Sequence, residues 1–287
     1  MPASDPSPAA LFDRRAWRAH RARLAAPGGG GADFLHREAA ERLLDRLDLV
    51  NRRFTAVLDW GARDGVLTRR LREREPAAFV VAAEPAAALL AAAPRPCVCA
   101  DPELVPFGAA SFDLIASLLT LHWCADLPGA LVQLRRALRP DGLFVAALFG
   151  GGTLGELRTA LFEAELAEEG GVSPRVSPTV ELADAASLLQ RAGFAMPVAD
   201  SETLTVSYPD MLALLHDLRA MGETNALAAR RRFLSRATLA RAAALYAERF
   251  ATADGRITAT FEMLFLAGWA PHPSQATPRP GPRRRIG

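Results

Sequence analysis

The chain has 287 residues, half of them hydrophobic, which is enough to bury one large core. It carries 34 basic and 32 acidic residues, a formal net charge of +2, and so lacks the dense basic excess of a nucleic-acid binder. Every basic residue other than His is Arg, so arginine abundance alone is no guide to function.

Residues 1–10 are rich in Pro, Ala and Ser and read as loose. FDRRAWRAHRARLAA (12–26) predicts a short basic helix, broken by PGGGGAD (27–33). No stretch reaches the ~20 apolar residues that span a bilayer. No continuous apolar segment marks a secretory signal, and Asp5, Asp13, Glu38 and Glu41 argue against a cleaved presequence. In FLHREAAERLLDRLDL (34–49), Leu35, Ala39, Leu43, Leu44 and Leu47 share one helical face.

Strands and helices then alternate. FTAVLDW (54–60), FVVAAE (79–84), PCVCAD (96–101), the start of FDLIASLLTL (112–121) and GLFVAALFG (142–150) read as strands. VLTRRLRER (66–74), PAAALLAAA (85–93) and LPGALVQLRRAL (127–138) read as helices, the last ended by the turn RPDG (139–142). This alternation predicts an α/β, doubly wound, mostly parallel sheet with helices on both faces and right-handed connections. After Gly150, helices are expected at 153–169, 181–194, 208–223 and 235–250, with a strand possible after Gly193 and a final strand at 257–270. The Pro- and Arg-rich segment 271–287 has no apolar period and is expected to be disordered. The expected division is therefore a flexible basic segment (1–33), a domain (34–270) with its core at about 50–150 and a helical elaboration at 151–270, and a tail (271–287).

In such a sheet, ligands sit outside the carboxyl ends of the strands. Asp59, Glu84 and Asp101 fall at three successive strand ends, and Asp59 and Glu84 are 25 residues apart. An acidic residue ~20 positions beyond a glycine turn accepts hydrogen bonds from ribose hydroxyls. The turn itself, DWGARDG, has Gly61 and Gly65 but neither G-x-G-x-x-G nor a P-loop lysine, so it suits a nucleoside ligand without a pyrophosphate. S-adenosylmethionine fits. Its amino-acid end needs close backbone approach at Gly61, its ribose a carboxylate at Glu84, and its adenine a polar contact at Asp101 with apolar walls around Leu121 and His122.

VLDWG, Glu84, ADPELVPFGAASFDLI (100–115) and SLLTLHWCADLPGALVQLRRALRPDG (117–142) together resemble a class I S-adenosylmethionine-dependent methyltransferase. FDRR, GGTLGELRTAL (151–161), EEGGVSPRVSP (168–178), YPDMLALLHDLRAMGETNAL (208–227) and TFEMLFLAGWAPHPSQATP (260–278) extend the resemblance to one subgroup. This is the methyltransferase-like assembly-factor family of respiratory complex I (NADH:ubiquinone oxidoreductase). The resemblance implies hydroxylation or methylation of an arginine in an iron–sulfur subunit of that complex. The family occurs in mitochondria and in related bacteria, and the expectation for this chain is a bacterial, cytoplasmic protein for which peripheral contact with the inner face of the membrane is possible. The malonyl-[acyl-carrier protein] O-methyltransferases share LPF, SFDLI and GTL-ELR and give an alternative, as does a non-catalytic assembly chaperone. The sequence departs from the family at Arg63, where a glycine is usual. A positive φ there would cost about 1 kcal/mol. The side chain could obstruct the cofactor, hold its carboxylate, or point to solvent.

Methyl transfer needs alignment and sometimes a base, so no triad is expected. His122 is a candidate base and, with Trp123, a candidate pocket wall, the alternative being core packing. Glu156, Arg158, Glu165 and Arg175 follow the fifth strand, where carboxylates could grip a guanidinium or could form a solvated helix face. Asp217, Arg219 and Glu223 have the same two readings. Cys97 and Cys99 lie two apart on a strand and read as small buried residues rather than as metal ligands, and the five histidines are too scattered for an iron site. Three cysteines in all suggest a reducing compartment.

Overall fold

The computed structural model describes residues 11–26, 33–91, 93–229, 233–272 and 274. Seven strands form one sheet in the order β3-β2-β1-β4-β5-β7-β6. The strands are β1 (Ala56–Trp60), β2 (Phe79–Glu84), β3 (Cys97–Cys99), β4 (Phe112–Leu118), β5 (Leu138–Phe149), β6 (Ala195–Tyr208) and β7 (Ile257–Trp269). The first five are parallel, and β7 pairs antiparallel with both β5 and β6.

Both faces are covered, which explains the unbroken apolar strands of the first half. One core layer joins the sheet to α2 (Phe34–Asp48), α3 (Val66–Arg74), α6 (Gly155–Glu169), α8 (Met211–Met221) and α9 (Arg236–Phe250). The opposite layer joins it to α5 (Leu127–Ala137) and α7 (Leu182–Arg191). Chain order reverses between β1 and β4, so the crevice where ligands bind in such sheets opens there.

Several expectations change. The RPDG turn lies inside β5: the register passes from Phe112–Leu138 to Leu114–Leu143, and the segment bulges with Asp141 at φ 59°. Asp tolerates this left-handed backbone, so α5 feeds the strand directly. The Ala-rich helix shortens to α4 (Ala87–Leu90). β6, expected only as a possible strand after Gly193, is a long edge strand whose burial largely alternates. Cys99 is exposed because β3 is the other edge, while Cys124 is buried.

α1 (Arg14–Ala22) packs onto the domain. Asp13 caps it by accepting from Ala16 N at 2.9 Å. Phe12, Trp17, Trp123, Ala226 and Leu227 form a small core of their own, and Asp13 N donates to Ala226 O at 2.7 Å. The segment 1–10 and nearly all of the tail lie outside the described residues.

Candidate active site

The turn after β1 is shaped by close approach. Gly61 has φ +86°, and a Cβ there would lie 2.2 Å from Thr120 Oγ1. Only glycine meets both conditions. The Gly61 and Ala62 amides donate to Ala83 O on β2 at 2.8 and 2.9 Å, and Gly65 caps α3. Arg63 has φ 52°, so the strained backbone is present. Its side chain is buried rather than turned to solvent, and its guanidinium pairs with Asp33 at the start of α2 at 3.1 Å. Arg63 Nε is buried without a partner.

Asp59 is fully buried. Thr68 Oγ1 donates to Asp59 Oδ2 at 2.5 Å, while Oδ1 has no partner. Burial pushes its pKa up to about 7, the Thr68 hydrogen bond partly offsets this, and the charge of Glu84 adds to the rise.

Glu84 is also fully buried. It accepts from Arg63 N at 2.9 Å and Ala86 N at 3.1 Å. Arg21, reaching down from α1, donates Nε to Oε1 at 2.9 Å and Nη2 to Oε2 at 2.6 Å. Burial opposes the Arg21 charge, but the Glu84 carboxylate outweighs it and raises the pKa, so the cation persists. Asp101 is held the same way, by Arg14 and by Arg18 Nη2 at 2.6 Å. Burial alone would raise the Asp101 pKa, yet the hydrogen bonds from Arg14, Glu103 N and Arg18 hold it below the usual range. Arg14, Trp17, Arg18 and Arg21 are spaced to share one helical face.

The residues after β4 divide. Leu121 packs into the core. His122 and Trp123 face Glu223, with His122 Nε2 and Trp123 Nε1 at 3.1 and 3.0 Å from Glu223 Oε2. His36 on α2 is buried with neither ring nitrogen partnered. Burial, then the nearby charges of Arg63 and Arg21, hold its pKa well below the ordinary value.

Three of the other candidates are bound into the frame. Glu156 accepts from Thr260 N at 3.2 Å and from the Thr260 hydroxyl. Arg158 donates to Gly151 O and Thr153 O at 3.4 and 3.3 Å. Glu165 is buried and accepts Arg175 Nε at 2.8 Å and Ser173 N at 2.8 Å, so its guanidinium comes from this chain's own loop. Sequence reasoning missed Arg14, Arg18, Arg21 and His36. The arginine spacing on 12–26 was the available signal for the first three. For His36, buried among apolar positions, there was none.

The array fits a nucleoside with an amino-acid end. Asp59 Oδ1 is an idle acceptor for an ammonium, Arg63 Nε an idle donor for a carboxylate, and Glu84 a carboxylate already shaped for two converging donors. A ribose diol presents two such donors, and would have to replace Arg21 to reach Glu84.

A methyltransferase-domain family model matches residues 58–146. The chain is 41% identical over 250 residues to the mitochondrial arginine-hydroxylase NDUFAF5 of Danio rerio, covering 86% of this chain and 78% of that protein. It is 38% identical over 244 residues to the malonyl-[acyl-carrier protein] O-methyltransferase of Halorhodospira halophila, covering 82% and 81%. The solved structure of YcgJ from Bacillus subtilis superposes with a TM-score of 0.57 at 14% identity, over 81% of this chain and 99% of that one, a likeness of fold. With such identity over most of both chains, this protein belongs to the methyltransferase-fold family that contains the arginine-hydroxylases NDUFAF5 and the malonyl-[acyl-carrier protein] O-methyltransferases.

Proposed function

We propose that the chain binds S-adenosylmethionine at the β1–β4 crevice and modifies an arginine side chain of a respiratory complex I subunit during assembly. The substrate reading draws on the relatives named arginine-hydroxylase and on the family resemblance of residues 151–278. The observation that carries the cofactor reading is the set of idle buried groups, Asp59 Oδ1 and Arg63 Nε, beside the Glu84 carboxylate. Buried polar atoms left unpaired cost free energy, about 1–3 kcal/mol each, and a zwitterionic ligand would satisfy both. When bound, the cofactor supplies an electrophilic methyl on a sulfonium. The chain's part is to hold ribose at Glu84, ammonium at Asp59 and carboxylate at Arg63, and to keep water out with α1. The proposed target is an iron–sulfur subunit of that complex, met at the inner face of the membrane; no described helix is long and apolar enough to cross a membrane.

Calorimetric titration of the purified chain with S-adenosylmethionine and S-adenosylhomocysteine tests this reading. Saturable binding of both supports it, and no heat at millimolar ligand would count against every cofactor-dependent role and favour a non-catalytic assembly role.

A second reading, O-methylation of a malonyl thioester, draws on Arg175, a cation lining the cavity beside the cofactor crevice. Glu165 already holds that guanidinium, so an incoming malonyl carboxylate would have to displace it.

A further inference from the structure

Next to the cofactor crevice lies a cavity of about 180 Å³. Its long walls are apolar, built from Phe149 on β5, Leu157 and Leu161 on α6, Leu218 on α8 and Phe261 on β7. Polar groups converge on the remainder. Glu223 lines the cavity with a side chain only 8% exposed. Both of its hydrogen bonds end on Oε2, and among the described residues Oε1 has no partner.

The bond between His122 and Glu223 fixes the histidine's tautomer. A carboxylate only accepts, so His122 Nε2 carries the hydrogen. Nδ1, which in the neutral ring presents a lone pair, is buried with no partner. Ser177 Oγ, Thr179 Oγ1 and Thr224 Oγ1, on residues lining the same cavity, are likewise buried and unpartnered. The other full charge on the lining, Arg175, is neutralised by Glu165. The cavity therefore offers a carboxylate oxygen without a partner among the described residues, several unpartnered polar atoms able to accept, and an apolar approach. A guanidinium is the complement on all three counts: cationic, with five N–H donors and no acceptor, on a stem of methylenes.

We propose that this cavity is a guanidinium subsite, in which Glu223 Oε1 takes the charged end of the substrate arginine and His122 Nδ1 with the hydroxyls of Ser177, Thr179 and Thr224 take further N–H groups. The assignment rests on the arginine-modifying reading above and gives that reading its binding residue. Trp123 and His122 act as positioning residues for the carboxylate, since their two N–H groups fix Oε2. A carboxylate ligand would meet the wrong charge here.

The test uses the full chain and two small probes, N-acetyl-arginine methylamide and its neutral citrulline counterpart. Affinities are measured by NMR titration for the wild type, Glu223→Gln and Glu223→Asp, with S-adenosylhomocysteine affinity as a separate readout. The wild type is expected to prefer the arginine probe by about 10- to 100-fold, the range for a hydrogen-bonded charged group. Glu223→Gln should abolish that preference and Glu223→Asp keep part of it, with S-adenosylhomocysteine bound as in the wild type by both. A Glu223→Gln protein that keeps the preference overturns the subsite and leaves the arginine reading standing. A wild type with no preference overturns both. Should Glu223→Gln not fold, the shortened Glu223→Asp carries the test: a preference left unchanged there, with the carboxylate drawn back by one methylene, overturns the subsite.

Discussion

Arg21 of α1 and Glu84 of β2 form a fully buried, bidentate ion pair across 63 residues of sequence, at the position where the cofactor's ribose is expected. The same helix face puts Arg14 and Arg18 on Asp101. The N-terminal helix therefore satisfies, with guanidinium groups, the carboxylates of Glu84 and Asp101 at two successive strand ends. In the proposed cofactor site it would be at once a stabilising strap and a competitor for the ribose.

Arg21→Met separates those roles. Removing one partner of a buried pair leaves Glu84 charged and underpaired, a loss of about 3–5 kcal/mol. The unliganded variant should melt well below the wild type. Saturating S-adenosylhomocysteine should then raise its melting temperature more than it raises that of the wild type, because no cation has to be displaced. An equal rise in both proteins would show that Arg21 and the ligand do not share Glu84.

Asp59 predicts a pH dependence. Its folded pKa of about 7 is above the usual carboxylate value, so the native state binds its proton more tightly than the unfolded chain. Its contribution to stability is complete below the usual carboxylate range and is lost as pH rises through about 7. Asp59→Asn, which cannot ionise, should flatten this part of the profile in urea melts between about pH 4 and pH 7. A cationic ligand favours the ionised form, so wild-type affinity for S-adenosylmethionine should rise over the same interval. Parallel stability profiles for wild type and variant would refute the assignment.

Gly61 predicts a steep and specific loss. Gly61→Ala puts a Cβ 2.2 Å from Thr120 Oγ1 and 2.4 Å from Thr120 Cβ, on a backbone at φ +86°. Overpacking and left-handed strain together should cost about 3 kcal/mol in chemical denaturation. Thr120→Ala cannot relieve the clash, because its own Cβ remains. Only Thr120→Gly should recover part of the loss, and rescue by Thr120→Ala would contradict the geometry.

Arg63 resolves into a buried tether with one idle donor. Arg63→Gly removes about 1 kcal/mol of left-handed strain but also the pairing with Asp33. Affinity for S-adenosylmethionine should fall about 10-fold, the value of one charge-assisted hydrogen bond, while that for its decarboxylated analogue stays unchanged. An equal fall for both ligands would show that Nε does not meet the carboxylate.

Much of the fold was legible because each signal was local. α3 and β2 lie where the apolar periods place them, and Asp59, Glu84 and Asp101 stand at successive strand ends as their spacing implies. What was not legible depends on distant pairings. Glu156, Arg158 and Glu165 read alike on one amphipathic helix, yet each is bound to a different distant or neighbouring partner. Arg21 looked like one more arginine in a chain without lysine, and only the folded chain shows that it reaches Glu84. Glu223 kept two readings, a guanidinium-gripping carboxylate or a solvated helix residue, because nothing local reveals that α8 ends against His122 and Trp123. The RPDG turn failed for a related reason: its residues suit a turn, but the pairing of β5 with β4 and β7 carries them into the sheet.

The most direct test of the central claim is the mass of arginine-containing peptides from complex I subunits, compared between cells that carry this gene and cells from which it is deleted. The account predicts one arginine peptide heavier by an oxygen or a methylene when the gene is present, lost on deletion and lost again when the gene is restored with Glu223→Gln. Identical peptide masses in all three backgrounds would contradict it.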